Sequence, residues 1–187
     1  MRTAIRVTAT AAVAVAAVTA AATPAFASAS GPASGAVFAA PANVKIAADA
    51  TVSGGSVTNV AFFGNSIGLG SARIAPFSIT ASNLAAGSYS LTAVATAGGV
   101  STTSSVVNIT VVTPVAISLS APTLASGQFS FSYSANPGLT YVVQHSSDFV
   151  AWSTAVTNVA LTSTVQFHES AGSANGRFYR VARLPNP

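Results

Sequence analysis

The chain is expected to be all-β, folded as two tandem β-sandwich modules behind an N-terminal export signal. Three observations predict this. Apolar and polar residues alternate with period 2 through most of the chain, as in strands with one buried face. Turn signals such as Ser53-Gly54-Gly55, Gly64-Asn65-Ser66 and Gly98-Gly99 separate those runs. No stretch carries a convincing helical period, and Thr113-Pro114 divides two sets of strand candidates.

Composition narrows the class. Of 187 residues only 5% are charged, against roughly 25% in an average soluble protein. Hydroxyls and small apolar groups therefore dominate the surface. There is no cysteine, so disulfides and thiolate metal sites are excluded.

Residues 1–27 read as a cleaved signal peptide. Arg2 and Arg6 form a positive start, Val7 to Ala22 is rich in Ala and Val, and Ala25-Phe26-Ala27 has the small-x-small form of a cleavage site. The apolar run is shorter than the roughly 20 residues that span a bilayer. No other membrane-spanning run follows, so the mature chain is expected to be secreted or held at the cell surface. It keeps five basic side chains (Lys45, Arg73, Arg177, Arg180, Arg183) against three acidic ones (Asp49, Asp148, Glu169). That balance is too slight for nucleic-acid binding.

In chain order, residues 28–35 read as a flexible Ser/Gly/Ala/Pro leader. Ala36-Val-Phe38 is a short first strand. Val44, Ile46, Ala48 and Ala50 share the inner face of the next, with Lys45 and Asp49 outward. Val60 and Phe62 point inward from the strand Val57 to Phe63. Gly64-Asn65-Ser66 is a hairpin turn, because Gly and Asn tolerate positive φ. Ile67 to Gly70 returns, and Ile74 to Ala81 follows with Pro76 marking an edge or bend. Tyr89 opens a strand directly after the turn Ala85-Ala86-Gly87-Ser88, a pattern that predicts a tyrosine corner. Ser104 to Val112 closes the first module, residues 36–112, with Val107, Ile109 and Val111 inward.

The second module, residues 113–187, repeats this grammar. Its strand candidates are Ile117-Ser-Leu119, the aromatic Phe129-Ser-Phe-Ser-Tyr133, Tyr141 to His145, a run bearing Val165 and Phe167, and Phe178 to Leu184.

Residues 36–112 resemble a bacterial immunoglobulin-like module of secreted and surface proteins. The resemblance rests on Phe38-Ala-Ala-Pro-Ala-Asn-Val-Lys-Ile46, Gly55 to Phe63, Ile67-Gly-Leu-Gly70, Ala75-Pro-Phe-Ser78 and Ala86 to Ala95. Residues 128–184 resemble a fibronectin-type-III-like C-terminal module of exported bacterial proteins. There Tyr141-Val-Val-Gln-His-Ser-Ser-Asp148, Trp152 and Arg177-Phe-Tyr-Arg180 carry the likeness. The first resemblance also implies acidic calcium ligands in two turns. Val52, Gly54 and Ala97 stand in those places, and calcium needs about six oxygen ligands, so no cofactor or metal is expected.

Four constellations compete for a chemical role. Gly64-Asn65-Ser66-Ile67-Gly68 matches G-x-S-x-G, with Asp148 and His168 later in the chain. That motif works only at a strand-to-helix turn, and here it is read as a hairpin. His145 and His168 with Asp148 or Glu169 lack ligand spacing. Asp148 and Glu169 are the only acids available for a glycosidase pair besides Asp49, and Asp148 is read as a loop-bonding residue. Arg177, Arg180 and Arg183 recur every three residues, which scatters them over both faces of a strand.

The remaining candidate is a ligand-facing set of Trp152, Gln144 and Asn158. An exposed Trp offers a flat apolar face to a sugar ring, whereas a buried one would plug the second core. The chain is thus expected to be a non-catalytic, exported interaction or adhesion module. Its partner would be a cell-surface protein or an extracellular polysaccharide, the latter bound through Trp152 as the alternative reading.

Overall fold

The computed structural model describes residues 5–9, 31–53, 55–120, 122–171 and 176–187. Every regular element in these residues is a β-strand. They divide into two compact units, the first ending at Val111 and the second running from Val112 to Pro187.

The first unit is built from nine strands. They are β1 (Ile5–Ala9), β2 (Val37–Ala39), β3 (Ala42–Val52), β4 (Asn59–Gly64), β5 (Ile67–Ala72), β6 (Phe77–Leu84), β7 (Gly87–Ala97), β8 (Val100–Thr103) and β9 (Val107–Val112). One sheet has the order β1-β3-β6, and the other β2-β9-β7-β4-β5 with β8 also on β7. The core lies between them. Val44, Ile46, Phe77 and Ala81 meet Val60, Phe62, Leu91, Ile109 and Val111, with Val60 and Phe62 fully buried. The alternation of β3, β4, β7 and β9 therefore fixes which face of each strand is inside.

Most of the expected signal peptide lies outside the described residues. Ile5–Ala9 alone is described, pairing antiparallel with the far end of β3 from Ile5↔Val52 to Ala9↔Ala48. The cleavage motif and residues 28–30 of the leader are not among the described positions.

Tyr89 does form the corner, donating its phenol proton to the Ala85 carbonyl at 2.9 Å. Asn65 and Ser66 both take positive φ, 50° and 67°, and close the two-residue hairpin between β4 and β5. The Asn65 side chain fixes that hairpin, donating to the Ser88 carbonyl and accepting from the Ser90 amide. Two expected strands differ. Pro76 delays the strand expected from Ile74, which begins at Phe77. The strand expected from Ser104 begins at Val107, while Ser104 itself bonds Ala93 through both its hydroxyl and its amide.

The second unit has β10 (Thr123–Ala125), β11 (Gln128–Ser134), β12 (Thr140–Ser146), β13 (Ser153–Val159), β14 (Thr164–Ser170) and β15 (Phe178–Arg183). Two three-stranded sheets, β10-β11-β14 and β13-β12-β15, form this sandwich. Phe131, Tyr133, Tyr141, Val143 and Phe167 fill its interior. The aromatic rings pack as tilted pairs, Phe131 with Phe167 at 5.1 Å and Tyr133 with Tyr141 at 5.8 Å, a favourable ring geometry. Ile117-Ser-Leu119, expected as a strand, contributes only the single bridge Leu119↔Tyr133. The Ser118 amide donates instead to the Ser134 side chain.

Candidate functional site

The site grows from the loop between β12 and β13. The buried Ser146 hydroxyl donates to Asp148 Oδ1 and accepts the amides of Asp148 and Phe149. Asp148 Oδ1 in turn accepts the Val150 and Ala151 amides at 2.9 and 3.0 Å. A short acidic side chain that captures amides just ahead of it stabilises a tight loop. Those amides, Ala151 first and then Val150, with the Ser146 hydroxyl, hold the Asp148 carboxyl below its ordinary range. The loop also holds Phe149 at φ 63°, an unfavourable conformation for a bulky residue.

That loop presents two aromatic rings. Phe149 stacks on Phe178 of β15 with ring centres 3.6 Å apart. Trp152 meets Phe149 edge-on at 6.4 Å and donates its indole N–H to the Phe149 carbonyl. Phe149 is 62% exposed and Phe178 40%, while Trp152 is half-buried.

Strand alternation assigns this cluster to the outer face of the sheet. Tyr179 packs against Phe129, Phe131 and Phe167 of the facing sheet, so its neighbours Phe178 and Arg180 point outward. The Arg180 guanidinium carbon lies 4.1 Å from the centre of the Trp152 ring, within cation–π range. Its Nε donates to Gln144 Oε1 at 2.8 Å, directly across the β12–β15 ladder.

Of the three residues expected to face a ligand, Trp152 and Gln144 thus meet through Arg180. Asn158 is turned elsewhere. It accepts the Tyr133 hydroxyl at 3.0 Å and lines a partly open pocket of about 420 Å³ with Tyr133, Val143, Val156 and Phe167. Phe149, Phe178 and Arg180 were missed by sequence reasoning. The signal for Phe149 was its place between the loop-bonding Asp148 and Trp152. Phe178 and Arg180 are identified only by the pairing of β15 with β12.

The two carboxylates have separate duties. Asp148 serves its own loop. Glu169 accepts from Arg177 and from the Tyr179 hydroxyl, and its Oε1 lies 3.5 Å from His145 Nδ1. Burial, then the hydrogen bond to Glu169 and its charge, push the Tyr179 phenol up. The cluster ties β12, β14 and β15 together between the sheets. His168, by contrast, is exposed, and Ser66 sits in a strand–turn–strand hairpin rather than before a helix.

Comparison with known proteins adds the family. No curated protein matches the chain. A fibronectin(III)-like module of CbhA from Clostridium thermocellum is similar at 30% identity, covering 43% of this chain and 88% of that one, with a TM-score of 0.41. The ligand-binding domain of human OSCAR is similar at 15% identity, covering 76% of this chain and 83% of that one, with a TM-score of 0.35. A β-glucuronidase of Bacteroides uniformis is similar at 10% identity over 81% of this chain, with a TM-score of 0.34. This chain spans only 24% of that enzyme's length. The family model described as bacterial Ig domain matches residues 26–93. The first unit thus contains the stretch, residues 26–93, that is similar to a bacterial Ig domain.

Proposed function

We propose that this is a non-catalytic exported protein whose second unit presents an aromatic face to an extracellular partner. Bacterial Ig domains are typically parts of exported or surface proteins, and such domains are generally non-catalytic. The observation that carries the reading is the exposed Phe149–Phe178 stack beside Trp152 and Arg180. Leaving such rings in water costs burial free energy that a binding partner recovers. Aromatic and Arg side chains are also the residues that dominate interface energetics. The Asp148 loop holds them in place beforehand, which lowers the ordering cost of association.

The partner is a cell-surface protein or an extracellular polysaccharide. Retention of the labelled chain on whole producing cells tests this. Wild type should be retained, and Phe149→Ala or Trp152→Ala should release it without loss of folding. Equal retention of all three proteins would remove this face from the function.

A second reading is carbohydrate binding, favoured by the joining of Trp152 and Gln144 through Arg180. An aromatic ring beside amide and guanidinium donors suits a sugar, whose C–H face stacks while its hydroxyls accept hydrogen bonds. Depletion of the chain by an insoluble polysaccharide, reversed in Trp152→Ala, would support it.

A further inference from the structure

We infer that the polysaccharide taken by this face is an acidic one, a chain of uronic-acid sugars. The inference rests on the carbohydrate reading and adds the charge of the ligand.

The argument starts from Arg180. Arg177 and His145 face Glu169, and Arg180 is in neither pair. Its contacts are the Gln144 amide oxygen through Nε and the Trp152 ring beneath it. Arg183 bonds the Leu184 carbonyl instead, and Asp148 spends its Oδ1 on its own loop. Arg180 is thus an exposed guanidinium, held in a fixed plane by a ring and an amide, with no carboxylate among these contacts.

A planar guanidinium held this way suits a planar carboxylate, which it can grip with two parallel hydrogen bonds. Phe149, Phe178 and Trp152 lie beside it and require a partner that also carries an apolar face. A uronic acid has both, a ring C–H face and a carboxylate on the same residue. Inorganic polyphosphate lacks the ring, and neutral glycans lack the charge. Thr154, which opposes Gln144 across the β12–β13 ladder and is exposed, adds a hydroxyl for the sugar's own hydroxyls.

The test measures binding of the full secreted chain to polygalacturonate, to its methyl-esterified form and to a neutral galactan. Polygalacturonate should bind, with affinity falling as salt is raised. Arg180→Gln should weaken it by at least about tenfold, and Arg180→Lys should weaken it less, because charge survives while the planar fork is lost. Circular dichroism confirms that each variant is folded. Equal binding of the esterified polymer, or no effect of Arg180→Gln, would overturn the inference. Binding of the neutral galactan alone, lost in Trp152→Ala, would overturn it while leaving the carbohydrate reading intact. Retention by cells with no glycan bound would overturn both sugar readings and leave a protein partner.

Discussion

The Tyr133 hydroxyl donates to Asn158 Oδ1 at 3.0 Å, and this bond joins the two sheets of the second unit. Tyr133 belongs to β11 and Asn158 to β13, strands that share no ladder. Tyr133 is 1% exposed, so its hydroxyl depends on that partner rather than on water. Asn158→Leu should leave a buried donor unsatisfied and destabilise the unit by about 1–3 kcal/mol. Urea unfolding should show the loss, while retention on cells or glycan stays at the wild-type level. Lost retention in a folded Asn158→Leu protein would return Asn158 to the binding face.

Ser104 is a buried polar residue that the ladder needs. The Ala93 amide donates to its Oγ at 3.0 Å, and its own amide donates to the Ala93 carbonyl at 2.8 Å. It thereby bridges the gap where β7 exchanges β8 for β9. Ser104→Ala keeps the volume nearly constant but orphans the Ala93 amide. The expected cost is about 1–3 kcal/mol, read as a lower midpoint in urea for the first unit. An unchanged midpoint would mean that water replaces the hydroxyl.

The Asp148 loop should loosen in acid. The Ala151 and Val150 amides and the Ser146 hydroxyl favour the carboxylate, so its pKa is lower in the folded loop than in the unfolded chain. The stabilisation is therefore present above the ordinary carboxylate pKa and fades as pH falls through the folded value. Trp152 shares this loop and is the one tryptophan of the chain, so its fluorescence reports the change. Asp148→Asn should remove the acid transition and weaken partner retention at neutral pH. A transition that persists in Asp148→Asn would place its origin in another group.

Export should expose an edge. Cleavage after Ala27 would make Ser28 the first residue of the secreted chain and would remove β1 from its pairing with Ala48–Val52. Intact mass and N-terminal sequencing of protein from the medium test the first point. Hydrogen exchange tests the second, with fast amides expected at the far end of β3. Secreted protein that retains Met1 would overturn the signal-peptide reading.

The sequence by itself determined what is periodic and local. Val60 and Phe62, or Val107, Ile109 and Val111, declare their buried faces because alternate side chains of a strand point the same way whatever it pairs with. The Tyr89 corner is equally local, closed within a few residues, and so is the turn of the Gly64-Asn65-Ser66 hairpin, although the Asn65 side chain that fixes it reaches the distant Ser88 and Ser90. Tertiary structure decided what depends on distant partners. Gln144 and Arg180 are 36 positions apart, and only the pairing of β12 with β15 brings them together where Arg180 covers Trp152. The same holds for Asn158, whose half-polar strand position fits a ligand face or an inter-sheet bond equally well until Tyr133 is opposite. Side-chain spacing along one strand records which face a residue takes, whereas a site built across strands is fixed by register, which the packing of the whole sandwich selects.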